Sequence, residues 1–322
     1  MEESKKSSAI LTTKVKAAKL SVASNSFLIL LKLFAGVLTG SISLIAEAIH
    51  SLMDLAAAVI ALISVRISDR PSDEEHPYGH GKAENISGAI EGSLIFVAAG
   101  IIIYEAAQRI QRIITGRPLE LPQLQIGIGI MAVSIVVNIL VSRYLLKVSR
   151  KTDSLALEAD ARHLTTDIMS MAGVLVGLAI IRVGQLVRVN LNILDPIVAI
   201  LVALLIMKTA YDITKKSFGG LMDTKLPKLE EDEIRSCIME HDYQLVAFHD
   251  LRTRKAGSHR YIELHLVMPK NESVEEAHRM CDHLELDIRK RLPRTNVTIH
   301  VEPCATECDQ CSVSCTIKNR DY

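Results

Sequence analysis

The stretch IAEAIHSLMDLAAAVIAL, residues 45–62, places Glu47, His50 and Asp54 inside an otherwise apolar run. A run of this length and composition predicts a helix within a hydrocarbon layer. An ionisable side chain costs about 2.5–3.5 kcal/mol or more in such a layer, so function is the default explanation for its presence. The stretch therefore predicts a functional polar site on a membrane-embedded helix.

A second stretch, DARHLTTDIMSMAGVLVGLAII at residues 160–181, repeats the pattern with His163 and Asp167. Residues four apart share a helix face, so His50 and Asp54 point the same way, as do His163 and Asp167. Two such helices facing each other would supply two imidazoles and two carboxylates, a four-coordinate set that suits zinc. One hydrogen-bonded polar pair per helix is the alternative, but the repetition favours a shared metal site.

The composition divides the chain into a membrane part and a soluble part. Hydrophobic residues make up 49% of the 322 residues, and 37 basic residues balance 37 acidic ones, which gives no indication of nucleic-acid binding. The apolar runs predict an all-α bundle of six transmembrane helices. These runs cover about 17–39, 42–66, 86–108, 124–147, 164–184 and 193–214.

Short loops rich in Lys and Arg indicate the cytoplasmic side of a membrane protein. Basic residues precede the first run, and others lie between runs two and three and between runs four and five. The loop TGSIS, between runs one and two, has none. The majority places both termini in the cytoplasm.

The last third alternates like a soluble α+β domain. Its pattern reads αββαβ, with Gly257 at a hairpin and Ser273 and Glu276 as a capping box, which predicts a ferredoxin-like domain. The predicted divisions are a cytoplasmic N-terminal segment, a six-span domain, the ferredoxin-like domain and a Cys-rich flexible tail. They cover residues 1–16, 17–220, 221–303 and 304–322.

Three further groups have the residue types of metal ligands. The loop PSDEEHPYGHGKAEN carries Asp73, His76 and His80, which could wrap a cation, although a solvated polar loop is the alternative that composition favours. The soluble domain carries four histidines in about 52 residues with a glutamate nearby, and surface or core histidines are the alternative there. These residues are His249, His265, His278, His300 and Glu302.

The tail spaces Cys304, Cys308, Cys311 and Cys315 as C-x3-C-x2-C-x3-C. Thiolates bind zinc and softer ions. This spacing is not that of a standard zinc finger, so reduced free thiols are an equal alternative. In the span region, Glu47, Glu91 and Asp160 could relay protons or hold ligands in place, or could simply pack between helices.

The joint motifs resemble a known family. HSLMD, HPYGHGKAE, DARHLTTD, SFGGLMD and the HDLRTRKAG…HRYIELHLVMP…TIHVEP domain are similar to those of the cation diffusion facilitators, over roughly residues 15–304. The resemblance implies a homodimeric divalent-metal/proton antiporter of the zinc type with a cytoplasmic ferredoxin-like domain, and no enzyme activity.

Carried over residue by residue, the resemblance implies a transport site, a loop site, a cytoplasmic site near the dimer interface and a charge interlock. The transport site matches His50, Asp54, His163 and Asp167, and the interlock matches Lys82 and Asp223. The loop site matches Asp73, His76 and His80, and the cytoplasmic site matches His249, His265, His278, His300 and Glu302. Glu302 is Asp in some relatives, and the Cys-rich tail departs from the common pattern.

With His50, the transport site has the two-His, two-Asp ligand set of the zinc type. Zn²⁺ is therefore the leading cargo, and Fe²⁺, Co²⁺ and Cd²⁺ are further candidates. The segment KVSRKTDSLALEAD lacks the His-rich loop of many eukaryotic zinc exporters, which favours a bacterial plasma-membrane protein. Zn²⁺ is then the transported ion and a regulatory ligand. The partners implied are a second copy of the chain, the lipid bilayer, divalent cations and protons.

Two other classes of protein are alternatives to a transporter. An intramembrane metalloprotease would need a base beside an open metal position, and the H-E-x-x-H motif does not occur in the sequence. A membrane-anchored metal-sensing receptor would leave the paired intramembrane sites unexplained. The sequence therefore predicts export of divalent metal in exchange for protons by alternating access.

Overall fold

The computed structural model describes residues 2–39, 42–115, 124–186, 193–241 and 246–304. Within these ranges the side chains of residues 2–8, 39, 42–47, 49–50, 124–127, 177–186 and 195 lie outside the described part. The chain divides into two compact units. We call Met1–Phe218 the membrane unit and Gly219–Tyr322 the C-terminal unit.

The membrane unit contains six long helices. They are α1 (Glu2–Thr39), α2 (Ile42–Ser68), α3 (Lys82–Ile114), α4 (Leu124–Thr152), α5 (Leu155–Leu186) and α6 (Leu194–Leu221, whose last residues belong to the C-terminal unit). Over the described residues, five of them have segments long and apolar enough to cross a membrane, on α1, α2, α3, α4 and α6. Helix α5, the fifth in chain order, has 32 residues and is long enough to be the sixth span. The predicted helical membrane bundle is confirmed.

At the N-terminus, the first helix begins earlier than the apolar run that predicts it. Helix α1 begins at Glu2, well before the run that starts near residue 17. Lys14, which precedes that run, is fully buried against Glu84 at the start of α3. Burying a charged residue requires a paired partner, and α1 extends far enough to provide this pair.

Small residues bring the helices of the membrane unit close together. One cluster packs α1 and the end of α2 against α4 and α5 around Ala17, Ala18, Leu145, Leu157 and Leu164, all fully buried. Another packs α3 against α5 and α6 around Ile95, Ala99 and Ile206. Helices in a membrane approach closely where such small side chains line the contact.

The C-terminal unit contains α7 (Lys228–Met239), β1 (Ala247–Ala256), β2 (His259–Met268), α8 (Val274–Arg291) and β3 (Thr295–Pro303). The sheet has the order β1-β2-β3, with β1 and β2 antiparallel and β2 and β3 parallel. The αββαβ order and the small α+β class are confirmed. One face of the sheet packs under both helices, with Ile234, Ile262, Leu264, Leu284 and Ile288 in the core.

Two local predictions for this unit are confirmed, the glycine at the hairpin and the capping box of α8. Gly257 adopts a φ of +58° between β1 and β2, a conformation that glycine tolerates without steric cost. Ser273 caps α8, since its hydroxyl accepts from the backbone N–H of Glu276 and the Glu276 side chain accepts in return from the backbone N–H of Ser273. These contacts set the direction in which α8 leaves β2.

Candidate functional site

Helices α2 and α5 bring three of the four predicted transport ligands together. The ligand atoms of Asp54, His163 and Asp167 lie within 4.8 Å of one another, and we call this group the transport triad. His163 Nε2 lies 3.1 Å from Asp54 Oδ1 in a hydrogen bond between the two helices. The His163 side chain is nearly fully buried, whereas those of the two aspartates are partly accessible.

His50 lies on α2, four residues before Asp54, but its side chain is outside the described part of the chain. The same holds for Glu47. The helical spacing still places His50 on the face of α2 that carries Asp54. Its role as fourth ligand stays a prediction.

A cavity of about 630 Å³ leads to the triad. On α3 its wall runs from Leu94 to Arg109, and on α5 it runs from His163 to Val174. Both helices therefore line it from the level of the triad towards their C-terminal ends. The triad can therefore be reached through this cavity from the end of the bundle at which α3 and α5 terminate.

Sequence reasoning missed the polar residues on the other walls of this cavity. Lys32 of α1 is buried and donates a hydrogen bond of 2.7 Å to Ser51 Oγ of α2. Asn25 of α1 and Ser134 and Asn138 of α4 also line the cavity and are nine-tenths or more buried. A lysine or asparagine inside an apolar run was the available signal for these residues.

The loop between α2 and α3 brings Asp73, His76 and His80 together, with ligand atoms within 4.8 Å. Asp73 Oδ1 accepts from the backbone N–H of His76 at 2.7 Å and lies 3.2 Å from His76 Nδ1. Asp73 Oδ2 lies 3.3 Å from His80 Nε2. The backbone N–H of His76, together with both imidazoles, holds the pKa of the Asp73 carboxyl below its ordinary value, so it is an ionised acceptor at neutral pH.

In the C-terminal unit, three strands align three histidines. His249 of β1 pairs with His265 of β2, and His265 pairs with His300 of β3. Adjacent ring centroids lie 5.1 Å and 4.8 Å apart. Directly paired residues project from the same face of a sheet, so all three imidazoles meet there.

Glu302 completes this group from β3. Its carboxylate lies 2.8 Å from His265 Nδ1, 3.1 Å from His249 Nε2 and 3.7 Å from His300 Nε2. The hydrogen bond from His265, followed by that from His249, holds the pKa of Glu302 below its ordinary value. We call these four residues the sheet cluster.

Asp250 also joins the cluster, although sequence reasoning did not identify it. Its ligand atom groups with those of His249 and His265. Regular alternation would point Asp250 away from His249. The β1–β2 register shifts between His249 and Arg252, and Asp250 adopts a φ of +51°, so this bulge turns its carboxylate to the side of the histidines.

The remaining predicted residues lie elsewhere. His278 projects from α8 and lies 3.7 Å from Asp282, outside the sheet cluster as described. The backbone N–H of Cys304 donates to Met268 O, and Cys308, Cys311 and Cys315 lie outside the described residues. Lys82 begins α3 in the membrane unit, and Asp223 belongs to the C-terminal unit, where it pairs with Arg254 at 3.4 Å.

Comparison with known proteins covers both units. A model of the cation efflux transmembrane domain matches residues 18–222, and one of the cation efflux protein cytoplasmic domain matches residues 226–304. An uncharacterized transporter of Synechocystis sp. is 36% identical over 273 residues, which is 85% of each chain. The cation-efflux pump FieF of Salmonella typhimurium is 32% identical over 290 residues, covering 90% of this chain and 93% of its own.

A solved structure of the transporter CzrB in its Zn form is 41% identical and covers 26% of this chain and 97% of its own, with a TM-score of 0.25. The family models together span nearly the whole described chain. They agree with the helical membrane unit and with the αββαβ unit. This chain therefore belongs to the cation diffusion facilitator family of metal efflux transporters.

Proposed function

We propose that this chain exports divalent metal cations from the cytoplasm in exchange for protons, with Zn²⁺ as the main cargo and Fe²⁺, Co²⁺ or Cd²⁺ as further ones. The observation that carries the proposal is the contact of 3.1 Å between His163 Nε2 and Asp54 Oδ1. That hydrogen bond requires a proton between the two atoms. A metal ion at the same nitrogen requires its lone pair instead.

Proton and metal therefore compete for one pair of atoms. When a dication binds, the proton leaves Nε2 and both carboxylates of the triad are ionised. When protons return, His163 again donates to Asp54 and the metal loses a ligand. The exchange of metal for proton needs no nucleotide as an energy source.

The choice of Zn²⁺ rests on the donor set. Asp54 and Asp167 supply two carboxylate oxygens, and His163 supplies one imidazole nitrogen. His50 would add the second imidazole from its place four residues before Asp54. Two nitrogens and two oxygens suit a tetrahedral borderline ion better than Mg²⁺ or Ca²⁺, which prefer six or more oxygens.

Alternating access is supported by the asymmetry of the membrane unit around the triad. The cavity reaches the triad from the side where α3 and α5 end. On the other side, the buried pair of Lys14 and Glu84 ties α1 to α3 at a distance of 2.8 Å. Export would require this second side to open while the cavity closes.

In this proposal the C-terminal unit lies in the cytoplasm and has a regulatory role in a homodimer. The sheet cluster would bind Zn²⁺ there, and His278 would add a ligand at or near the contact with a second copy. Lys82 and Asp223 would form an interlock that joins the protomers. Asp73, His76 and His80 would hold a further ion, and Cys304, Cys308, Cys311 and Cys315 are available as ligands in the tail.

This assignment places the protein in the plasma membrane with both termini in the cytoplasm. The test is zinc movement into proteoliposomes under an imposed pH gradient, for the wild type and for Asp54→Ala/Asp167→Ala. We expect gradient-dependent zinc flux that falls at least about 100-fold in the double variant, since both carboxylates that stabilise the dication are lost. The matched control is Asp212→Ala, an exposed aspartate of α6.

Zinc, iron, cobalt, cadmium and manganese are compared in the same assay to rank the cargoes. If the wild type moves no metal under any gradient, antiport is overturned. If it then still binds zinc, the metal-sensing receptor becomes the function to pursue.

A further inference from the structure

Helix α3 carries a fully buried carboxyl that the transport triad does not use. Glu91 has no exposed surface. One of its oxygens accepts a hydrogen bond of 3.1 Å from Ser87 Oγ, and Oε2 has no hydrogen-bond partner among the described residues. A carboxyl inside a membrane-spanning helix is costly and is retained mainly where it has a function.

Glu91 lies one turn beyond the wall of the transport cavity. Leu94 and Ile95, three and four residues later, line the cavity on the same face of α3. Because the cavity wall continues from there towards Arg109, Glu91 lies on the opposite side, towards the α2–α3 loop.

Helix α5 repeats this arrangement. His163 lines the cavity, and Asp160 lies one turn before it, 1% exposed, with Oδ2 unpartnered among the described residues. Helices α3 and α5 pack together beside these residues, because Ile95, one turn after Glu91, lies in one buried cluster with Ala159, which directly precedes Asp160. Two buried carboxyls on packed helices cannot both ionise at low cost, so together they can hold a proton.

Further buried polar groups continue from Glu91 to the end of the bundle. Glu84, Ser87 and Glu91 are spaced three and four residues apart, which places them on one face of α3 over about 10 Å of helix. Ser21 of α1 is fully buried, and its hydroxyl lies close enough to Asp160 to act on that carboxyl. An apolar seal between the triad and the α2–α3 loop would contain none of these groups.

We propose that Glu91 is a proton-carrying residue of the exchange, a role that rests on the antiport proposed above. When metal takes the lone pair of His163 Nε2, the proton that leaves is accepted by the Glu91–Asp160 pair. Glu91 then releases it towards the α2–α3 loop and is ionised again. No atom other than the proton is transferred, and the charge of the arriving dication drives the transfer.

The test compares Glu91→Gln with the wild type in proteoliposomes that report zinc and pH together. Glutamine keeps the shape and can still accept from Ser87, but it cannot carry a proton. We expect zinc-driven proton counterflow to fall at least about 10-fold while the zinc affinity of the triad changes less than about 2-fold. Glu91→Asp should recover most of the counterflow.

Asp212→Asn is the control, because it makes the same carboxyl-to-amide change at an exposed position of α6 that does not line the transport cavity. It should leave both readouts at wild-type values. If Glu91→Gln keeps the proton counterflow and pH dependence of Asp212→Asn, the proposal is wrong. If the wild type itself exchanges no protons for zinc, the proposed function fails instead.

A variant that keeps the carboxyl gives a second test, in case Glu91→Gln does not fold. Ser87→Ala removes the hydroxyl that donates to Glu91. The ionised carboxylate then loses a donor, so half-maximal exchange should move to higher pH. An unshifted pH profile in folded Ser87→Ala would also overturn the role of Glu91.

Discussion

Glu302 shows how a single carboxylate can organise a cluster of histidines. It contacts His249, His265 and His300 from one position on β3, within 3.7 Å in each case. Its pKa lies below the ordinary 4.5, chiefly because His265 donates to it. The ionised form therefore stabilises the C-terminal unit above pH 4.5, and this contribution is lost as the pH falls through the lower folded-state pKa.

Replacing this carboxylate should weaken zinc binding by the C-terminal unit. For Glu302→Gln in the full chain, we expect the affinity at pH 7.5 to fall about 10- to 100-fold, because one ionised ligand is lost and the imidazoles of His249 and His265 lose their common anionic acceptor. Titration calorimetry on detergent-solubilised protein carrying Asp54→Ala/Asp167→Ala would isolate this site from the transport triad.

Glu263→Gln is the matched control for that measurement. Glu263 lies two residues before His265 on β2, so it shares its strand face, yet it pairs with Arg252 across the sheet. Its replacement should leave zinc affinity unchanged. Equal affinities for Glu302→Gln and Glu263→Gln would show that Glu302 is no ligand.

Sequence periodicity predicted the transport triad well, since the three residues depend on helical spacing within two runs. It also predicted the alignment of the histidines on β1, β2 and β3. It failed for Asp250, because a bulge reverses the alternation that places side chains. It could not foresee that Lys14 is buried, because the partner Glu84 lies 70 residues away in the sequence.

At the scale of elements, Glu84 joins four helices at one end of the membrane unit. Its two oxygens accept from Lys14 Nζ of α1 at 2.8 Å, Ser68 Oγ of α2 at 3.0 Å and Ser154 Oγ, next to α5, at 2.8 Å. The backbone N–H of Ala156 in α5 adds a contact of 3.4 Å. A buried network in which each group is satisfied fixes the relative positions of the elements that supply it.

Removing one charge of this pair should be more costly than removing both. Glu84→Leu leaves the Lys14 ammonium buried without its closest partner, 2.8 Å away, and we expect a loss of about 3–5 kcal/mol in unfolding free energy. Lys14→Met/Glu84→Leu should recover part of it, because the buried ammonium is removed as well, whereas Asp69, 3.5 Å from Lys14 Nζ, then loses this partner. Thermal unfolding in detergent measures both.

Lys16→Met is the control for that pair, since Lys16 is exposed on the same turn of α1. It should unfold at the wild-type temperature. A double variant that is no more stable than Glu84→Leu would contradict the pairing argument.

At the scale of the whole molecule, successive spans cross the membrane in opposite directions. This alternation decides which helix ends share a side of the membrane. The α2–α3 loop and the α4–α5 turn then lie on one side. The C-terminal ends of α1, α3 and α5 lie on the other side, which is the one that the transport cavity approaches. The basic residues at the α2–α3 loop and the α4–α5 turn predict that the first of these sides is cytoplasmic.

Cysteine labelling tests this orientation in a chain whose six native cysteines are replaced by serine. Ser72→Cys lies in the α2–α3 loop and Thr115→Cys at the end of α3, and both positions are exposed. A membrane-impermeant maleimide should label Thr115→Cys from outside intact cells and Ser72→Cys only in inverted vesicles, because basic loops remain cytoplasmic. Ala99→Cys, at a fully buried position, should stay unlabelled in both. The reverse pattern would place the cavity on the cytoplasmic side and overturn the predicted orientation.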